Sequence, residues 1–136
     1  MVIVTRRERF SAAHVLRNEH WSDEKNKAVF GKCANQNWHG HNFELFVSVK
    51  GEPEKDTGFV IDLKVLANII NKKVISKLDH KNINLDVDFM QGKMASTEVL
   101  AIAIWNELKD DISAHDCQLH CIKLKETENN FVEYFG

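Results

Sequence analysis

The chain has 136 residues, 43% hydrophobic and 28% charged, with a formal net charge of −2. The length fits one domain, 1–136, around one core. The charge balance excludes a global basic field for nucleic acid, and no apolar run approaches the roughly 20 residues that span a membrane.

The N-terminal MVIVTRRERF turns charged after four apolar residues and cannot be the h-region of a signal peptide, so the chain is read as cytoplasmic. Residues 2–13 read as a strand with charged interruptions. A long excursion, 15–41, follows. Inside it WSDEKNKAVFG predicts a short helix, with Ser22 as N-cap, Asp23 and Glu24 in the first turn and Gly31 as the stop. Residues 42–50 alternate strictly, Phe43, Leu45, Val47 and Val49 sharing one face of a half-buried strand. The stretch GEPEKDTG reads as a loop. Asp62 looks like an N-cap, and Leu63, Leu66, Ala67, Ile70 and Val74 predict an amphipathic helix over 63–77. A second helix follows Ser96-Thr97-Glu98, its stripe of Leu100, Ile104 and Leu108 widened by Ile102 and Trp105. The segments 117–126 and 130–135 predict a hairpin turning at Glu128-Asn129-Asn130. The order is β, β, α, α, β, β. It argues for an α+β fold, an antiparallel sheet with helices on one face. Such a sheet has exposed edges, which favours assembly through them.

Three cysteines, Cys33, Cys117 and Cys121, do not make a disulfide framework. Cys117 and Cys121 lie at the two ends of one strand stretch, about 13 Å apart, and read as packing residues. Cys33 has a different setting, CANQNWHGHN. His39 and His41 are two apart, so in extended chain they point the same way. Gly40 between them allows close backbone approach. His14 ends the first strand, and antiparallel pairing with 42–50 brings it near His39 and His41. Three histidines without an obvious fourth ligand match a catalytic zinc site with an open position. Neutral imidazole suits zinc, and also nickel, copper or iron. Cys33 could close such a site as a fourth ligand. The five residues before His39 favour the other reading, a thiol presented across a pocket, with Lys32 beside it to favour thiolate.

Asp79-His80 follows the first long helix. Alone it reads as a helix-end polar pair, but a carboxylate next to a histidine can orient an imidazole for proton transfer. Glu126, late in a strand, reads alone as a solvated charge, and a carboxylate there can also accept two parallel N–H bonds.

Together the pieces FSAAH (10–14), FGKCANQNWHGHN (30–42), TGFVID (57–62), LDHKNIN (78–84), STE (96–98) and KETENN (125–130) resemble the 6-pyruvoyl-tetrahydropterin synthase family, which includes the 6-carboxytetrahydropterin synthases of queuosine biosynthesis. The resemblance implies a tunnelling fold (T-fold): a four-stranded antiparallel sheet with two helices on one face. It implies trimers closing a twelve-stranded barrel, two of them stacked as a homohexamer, with active sites between subunits. His14, His39 and His41 would bind Zn2+ and Cys33 would be the catalytic base. Asp79 and His80 would assist proton transfer from a neighbouring chain. Glu126 would anchor the guanidine-like edge of a pterin, with Thr97 and Glu98 lining that pocket. The implied substrate is 7,8-dihydroneopterin triphosphate, its phosphates held by lysines among which Lys25, Lys27, Lys32 and Lys81 are candidates.

Trp38 departs from the glycine often found before the paired histidines in pyruvoyl enzymes, which implies a changed loop shape. The Cys33-to-His39 spacing resembles the animal-type pyruvoyl synthases, whereas FVID resembles bacterial forms. The carboxy reaction, which also releases acetaldehyde, uses the same catalytic residues and remains the alternative. Cys33 speaks against a folate-linked branch that carries glutamate there. A metal-binding oligomer without catalysis is the reading from a different class.

Overall fold

Strict alternation and β-branched residues make the first long pairing. In the computed structural model, which describes residues 1–136, β1 (Val2–His14) and β2 (His39–Gly51) run antiparallel from Val2 opposite Gly51 to His14 opposite His39. The sequence places the second strand at 42–50. It begins earlier because Ala12, Ala13 and His14 continue the ladder for His41, Gly40 and His39. Phe43, Leu45, Val47 and Val49 are fully buried, as the alternation requires. The intervening residues form polar cross-strand pairs on the other face: Thr5 Oγ1 with Ser48 Oγ at 2.7 Å, Ser11 Oγ with Asn42 Oδ1 at 2.8 Å, and Arg7 with Glu44 at 3.4 Å.

The excursion between these strands is ordered by a short helix, α1 (Asp23–Phe30), capped by Ser22 Oγ on Lys25 N and ended by Gly31 at φ 56°. Asn26 is buried, and its carboxamide makes four hydrogen bonds to Asn18, Trp21 and Ser22. A 3-10 turn, Gly31–Ala34, carries Cys33.

The helix predicted over 63–77 starts at its expected N-cap, Asp62, whose side chain accepts from Lys64 N at 2.7 Å. It is not α throughout. α2 (Leu63–Ile70) passes through a π turn (Asn71–Ile75) into a last turn, α3 (Ser76–Leu78). The buried residues Leu66, Ile70, Val74 and Leu78 recur every four positions. In a pure α-helix each such step drifts about 40° around the axis. The wider π turn removes part of that drift and keeps all four on the core side. Asn71 Nδ2 donates to Ala67 O at 2.8 Å and Ser76 Oγ to Lys72 O at 3.0 Å, so side chains take up carbonyls around the turn.

β3 (Lys81–Asn82) pairs parallel with Ala12 and Ala13. It makes the sheet five-stranded where four strands were expected; two residues are too short to show a period in sequence. α4 (Thr97–Ser113) is capped by Ser96 Oγ on Val99 N. It buries Leu100, Ile104, Leu108 and Ile112. Ile102 does not widen this stripe. It lies half a turn from Leu100 and is exposed, whereas Trp105 packs edge-on against Tyr134.

β4 (Gln118–Lys125) and β5 (Phe131–Tyr134) form the predicted hairpin. The sheet order is β3-β1-β2-β4-β5, and only the β3–β1 pairing is parallel. Both long helices lie on one face, over Phe10, Phe43, Leu45, Val47, Ile122 and Leu124. Cys117 and Cys121 are buried free thiols. No helix is long and apolar enough to cross a membrane.

Candidate active site

The three histidines meet because of register. His14 faces His39, and His41 faces Ala12 two residues back, so all three imidazoles leave the same face at one end of the sheet. Ring centroids are 4.4 Å (His14–His39), 5.1 Å (His14–His41) and 4.9 Å (His39–His41) apart. One nitrogen of each comes within 4.8 Å of the others. Below them lie Phe43, 5.6 Å from His41 and 6.1 Å from His14, and Phe10, stacked on Phe43 at 4.9 Å.

That apolar floor sets the protonation state. Burial holds all three imidazoles below their ordinary pKa of 6.5, and neighbouring imidazoles add to the shift, while the Glu126 charge opposes it. His14 Nδ1 lies 2.7 Å from Ala95 O and donates to it, which leaves Nε2 as the bare nitrogen. His14 Nε2, His39 Nδ1 and His41 Nε2 are buried without a hydrogen-bond partner. Buried polar atoms are rarely left so. Three convergent lone pairs on neutral imidazoles fit a divalent cation of the zinc type.

Gly40 is less constrained than its place between two histidines suggests. A Cβ there would sit 3.4 Å from Ala12 O, an ordinary contact. The demanding position is Trp38, whose backbone is left-handed at φ 63°. Left-handed backbone is the conformation glycine adopts most freely, and here a tryptophan holds it.

Glu126 follows β4 directly. Its Oε1 lies 3.4 Å from His41 Nε2 without hydrogen-bond geometry, and its Oε2 accepts from the Thr97 hydroxyl. Thr97 is buried in the first turn of α4; Glu98, next to it, is exposed and makes no polar contact within the chain. Cys33 is half-buried, its turn tied to the end of β1 by Leu16 N donating to Cys33 O at 2.8 Å.

Asp79 and His80 lie together on the outer edge of β1. Asp79 Oδ1 accepts from Ser11 N at 2.9 Å and Asp79 Oδ2 is 3.1 Å from His80 Nδ1. The Ser11 bond, with the His80 contact, holds the Asp79 carboxyl below its ordinary range. His80 has φ 59° and a side chain 83% exposed. Within one chain the pair therefore faces solvent, while Glu126 and Thr97 stand beside the triad.

A cavity of about 810 Å³ opens beside the triad, lined by Val15, Ala34, Trp38 and Ala95, with Arg17 and Lys93 among the charged groups at its wall. Arg17 is paired with Asp23. Of the candidate lysines, Lys25 lies 4.2 Å over the Trp21 ring, Lys27 and Lys32 are exposed, and Lys81 stands beside His80. Two contributors have no role in the sequence reading: the Ala95 carbonyl, because any residue has one, and the Asn84 side chain, which closes LDHKNIN but whose partner Val15 only the fold shows.

Such a centre, at one end of a mostly antiparallel sheet in an α+β fold, has the donor set of a metal site. The chain matches the family described as 6-pyruvoyl tetrahydropterin synthase over residues 3–136 and belongs to that family. It is 44% identical to the 6-pyruvoyl tetrahydrobiopterin synthase of Dictyostelium discoideum, over 99% of this chain and 96% of the relative. It is 40% identical to the Homo sapiens enzyme of that name, over 98% and 90%. The solved Caenorhabditis elegans 6-pyruvoyl tetrahydropterin synthase superposes with a TM-score of 0.92 at 37% identity, covering 99% of this chain and 95% of that one.

Proposed function

We propose that this chain is a zinc-dependent lyase that converts 7,8-dihydroneopterin triphosphate to 6-pyruvoyl-tetrahydropterin with elimination of triphosphate. One observation carries the reading: three buried imidazole nitrogens without protein partners converge in a chain that matches the pyruvoyl family almost end to end. In this reading His14, His39 and His41 hold the zinc. When bound, the metal supplies Lewis acidity toward the substrate's side-chain hydroxyls.

The remaining steps belong to the chain's own groups. Cys33, as thiolate, takes a proton from the substrate side chain. The electron pair released moves toward the pterin ring, which is reprotonated there. A second proton then leaves the side chain, and its electron pair forms a carbon–carbon double bond as the carbon–oxygen bond to triphosphate breaks with its electrons leaving on the phosphate. The resulting enol takes up a proton and becomes the ketone. The Asp79 carboxylate orients His80 through Nδ1, leaving Nε2 to carry a proton. Glu126 accepts two N–H bonds from the guanidine-like pterin edge, Thr97 steadies that carboxylate, and Glu98 lines the same pocket.

The reading includes assembly. β5 is a free edge, and β1 is covered only from Ser11 onward. Ile3 and Phe131 are exposed there. Pairing β5 of one copy with β1 of the next joins these edges. Three copies close a barrel, two barrels stack as a homohexamer, and the solvent-facing His80 is brought to a neighbour's Cys33.

The test is mass spectrometry of products from the zinc-loaded protein and 7,8-dihydroneopterin triphosphate. A persistent 6-pyruvoyl product supports the proposal. A 6-carboxy product with acetaldehyde assigns the chain to the queuosine-type reaction instead. No triphosphate release from a folded, metal-bearing protein leaves a non-catalytic metal-binding oligomer. Cys33→Ala should keep the metal and abolish turnover; equal loss of metal would make Cys33 a ligand.

A further inference from the structure

The backbone that carries His14 is held from outside the triad. β3 ends at Asn82, after which the chain turns away, with Asn82 Oδ1 accepting from Asn84 N at 3.0 Å and Leu85 N at 3.2 Å. Ile83 N still reaches Ala13 O at 2.8 Å. At the next position along this edge, Val15, just past the end of β1, a side chain replaces the strand. Asn84 Oδ1 accepts from Val15 N at 3.0 Å and Asn84 Nδ2 donates to Val15 O at 3.0 Å. A carboxamide offers one donor and one acceptor side by side, as a backbone residue does on a strand edge. Both backbone groups of the residue after His14 are therefore fixed by a single side chain.

The same segment starts with Asp79 and His80. Asp79 Oδ1 on Ser11 N and His80 N on Ser11 O at 2.7 Å begin the seam that Asn84 completes. From Ser11 to Val15 the outer edge of β1 is thus tied to 79–84, with the candidate proton-transfer pair at one end and the histidine's neighbour at the other.

We infer that Asn84 is a positioning residue: its carboxamide clip on Val15 fixes the backbone of His14, sets that imidazole's aim at the metal, and ties it to the segment bearing Asp79 and His80. This rests on the three histidines being the metal ligands. Groups that orient ligands from outside the coordination sphere are typically worth about ten- to a hundred-fold in metal affinity. A carboxylate at position 84 would keep the acceptor for Val15 N but set an oxygen against Val15 O. Alanine would lose both bonds.

The experiment measures Co(II) affinity by chelator competition, and the visible ligand-field bands, for the wild type, Asn84→Ala, Asn84→Asp and Ile112→Val. Ile112 is a core residue at the opposite end of the sheet. The Asn84→Ala variant should bind Co(II) about ten- to a hundred-fold more weakly with altered bands. Asn84→Asp should show a smaller loss, and Ile112→Val neither change. Wild-type affinity and bands in Asn84→Ala overturn the inference, as does an equal loss in Ile112→Val. If Asn84→Ala does not fold, unaltered bands in Asn84→Asp overturn it. Failure of both to fold makes the clip a requirement of the fold alone and also overturns it. A wild type that binds Co(II) but releases no triphosphate refutes the lyase reading and leaves this inference standing. A wild type that binds no Co(II) removes this one.

Discussion

Glu126 and Thr97 join the end of β4 to the first turn of α4: the hydroxyl donates to Oε2 while Oε1 stays 3.4 Å from His41 Nε2. One carboxylate thus spans the wall between the two secondary-structure layers and the imidazole cluster. Thr97→Val keeps the shape and removes the donor. A hydrogen bond to a charged group is worth about 1.5–3 kcal/mol, so a carboxylate freed to rotate should raise KM about tenfold or more. The kcat should change less, because Thr97 itself touches no reacting atom in the proposed chemistry. Steady-state kinetics checks this. A fall in kcat at unchanged KM would remove Glu126 from substrate anchoring.

Metal-free protein should lose stability as pH falls below 6.5. His14, His39 and His41 all have lowered pKa values, with burial the leading cause. The sign follows from proton counting. Between the lowered folded values and the unfolded value of 6.5 the unfolded chain binds more protons, so stability rises with pH there. Urea midpoints of chelator-treated protein should fall steadily from about pH 7 to about pH 5, and His14→Gln should flatten the slope. A flat wild-type profile across that window would show the imidazoles to be solvated.

Asp79 can lose its charge without losing its structural bond. Asn at that position still accepts from Ser11 N, so Asp79→Asn should keep the fold and the metal. It removes the anion that holds His80 Nδ1. The expected result is a fall in kcat of about a hundredfold, in the range general acid–base catalysis supplies, with a melting temperature within about 4 °C of wild type. Wild-type turnover would make the pair structural.

Much of this was legible in the chain. The alternation of 43–49 fixes which face of β2 is buried, and that face continues through His41 and His39. The caps at Ser22 and Asp62 mark two helix starts, and Ser96-Thr97-Glu98 announces a third. What escaped has physical reasons. The π turn at Asn71–Ile75 hides because its four-residue apolar repeat also satisfies an α-helical reading over short windows. β3 has two residues and no period. The hydrophobicity of Ile102 suits the stripe, but its angle around the axis places it outside. The Ala95 carbonyl and the Asn84 carboxamide act through backbone geometry, which no residue-type pattern reports.

Trp38 tests whether backbone strain has been accepted beside the site. A bulky residue at φ 63° is uncommon, and such conformations persist where surroundings over-determine them. Trp38 N donates to Asn35 O at 3.1 Å, closing a turn immediately before His39, and the indole lines the large cavity. Replacing it by alanine or by glycine removes the same indole, so the two variants differ chiefly in the cost of left-handed backbone. Glycine adopts that conformation freely, whereas a Cβ there costs about 1–2 kcal/mol. Part of this gain is offset by the greater freedom of glycine in the unfolded chain, about 0.4–1 kcal/mol. Trp38→Gly should therefore be more stable than Trp38→Ala by about 1 kcal/mol in urea unfolding, the reverse of their order in a helix. If alanine proves the more stable, the turn before His39 relaxes out of the left-handed region in solution, and the position of His39 is then set by its pairing with His14 alone.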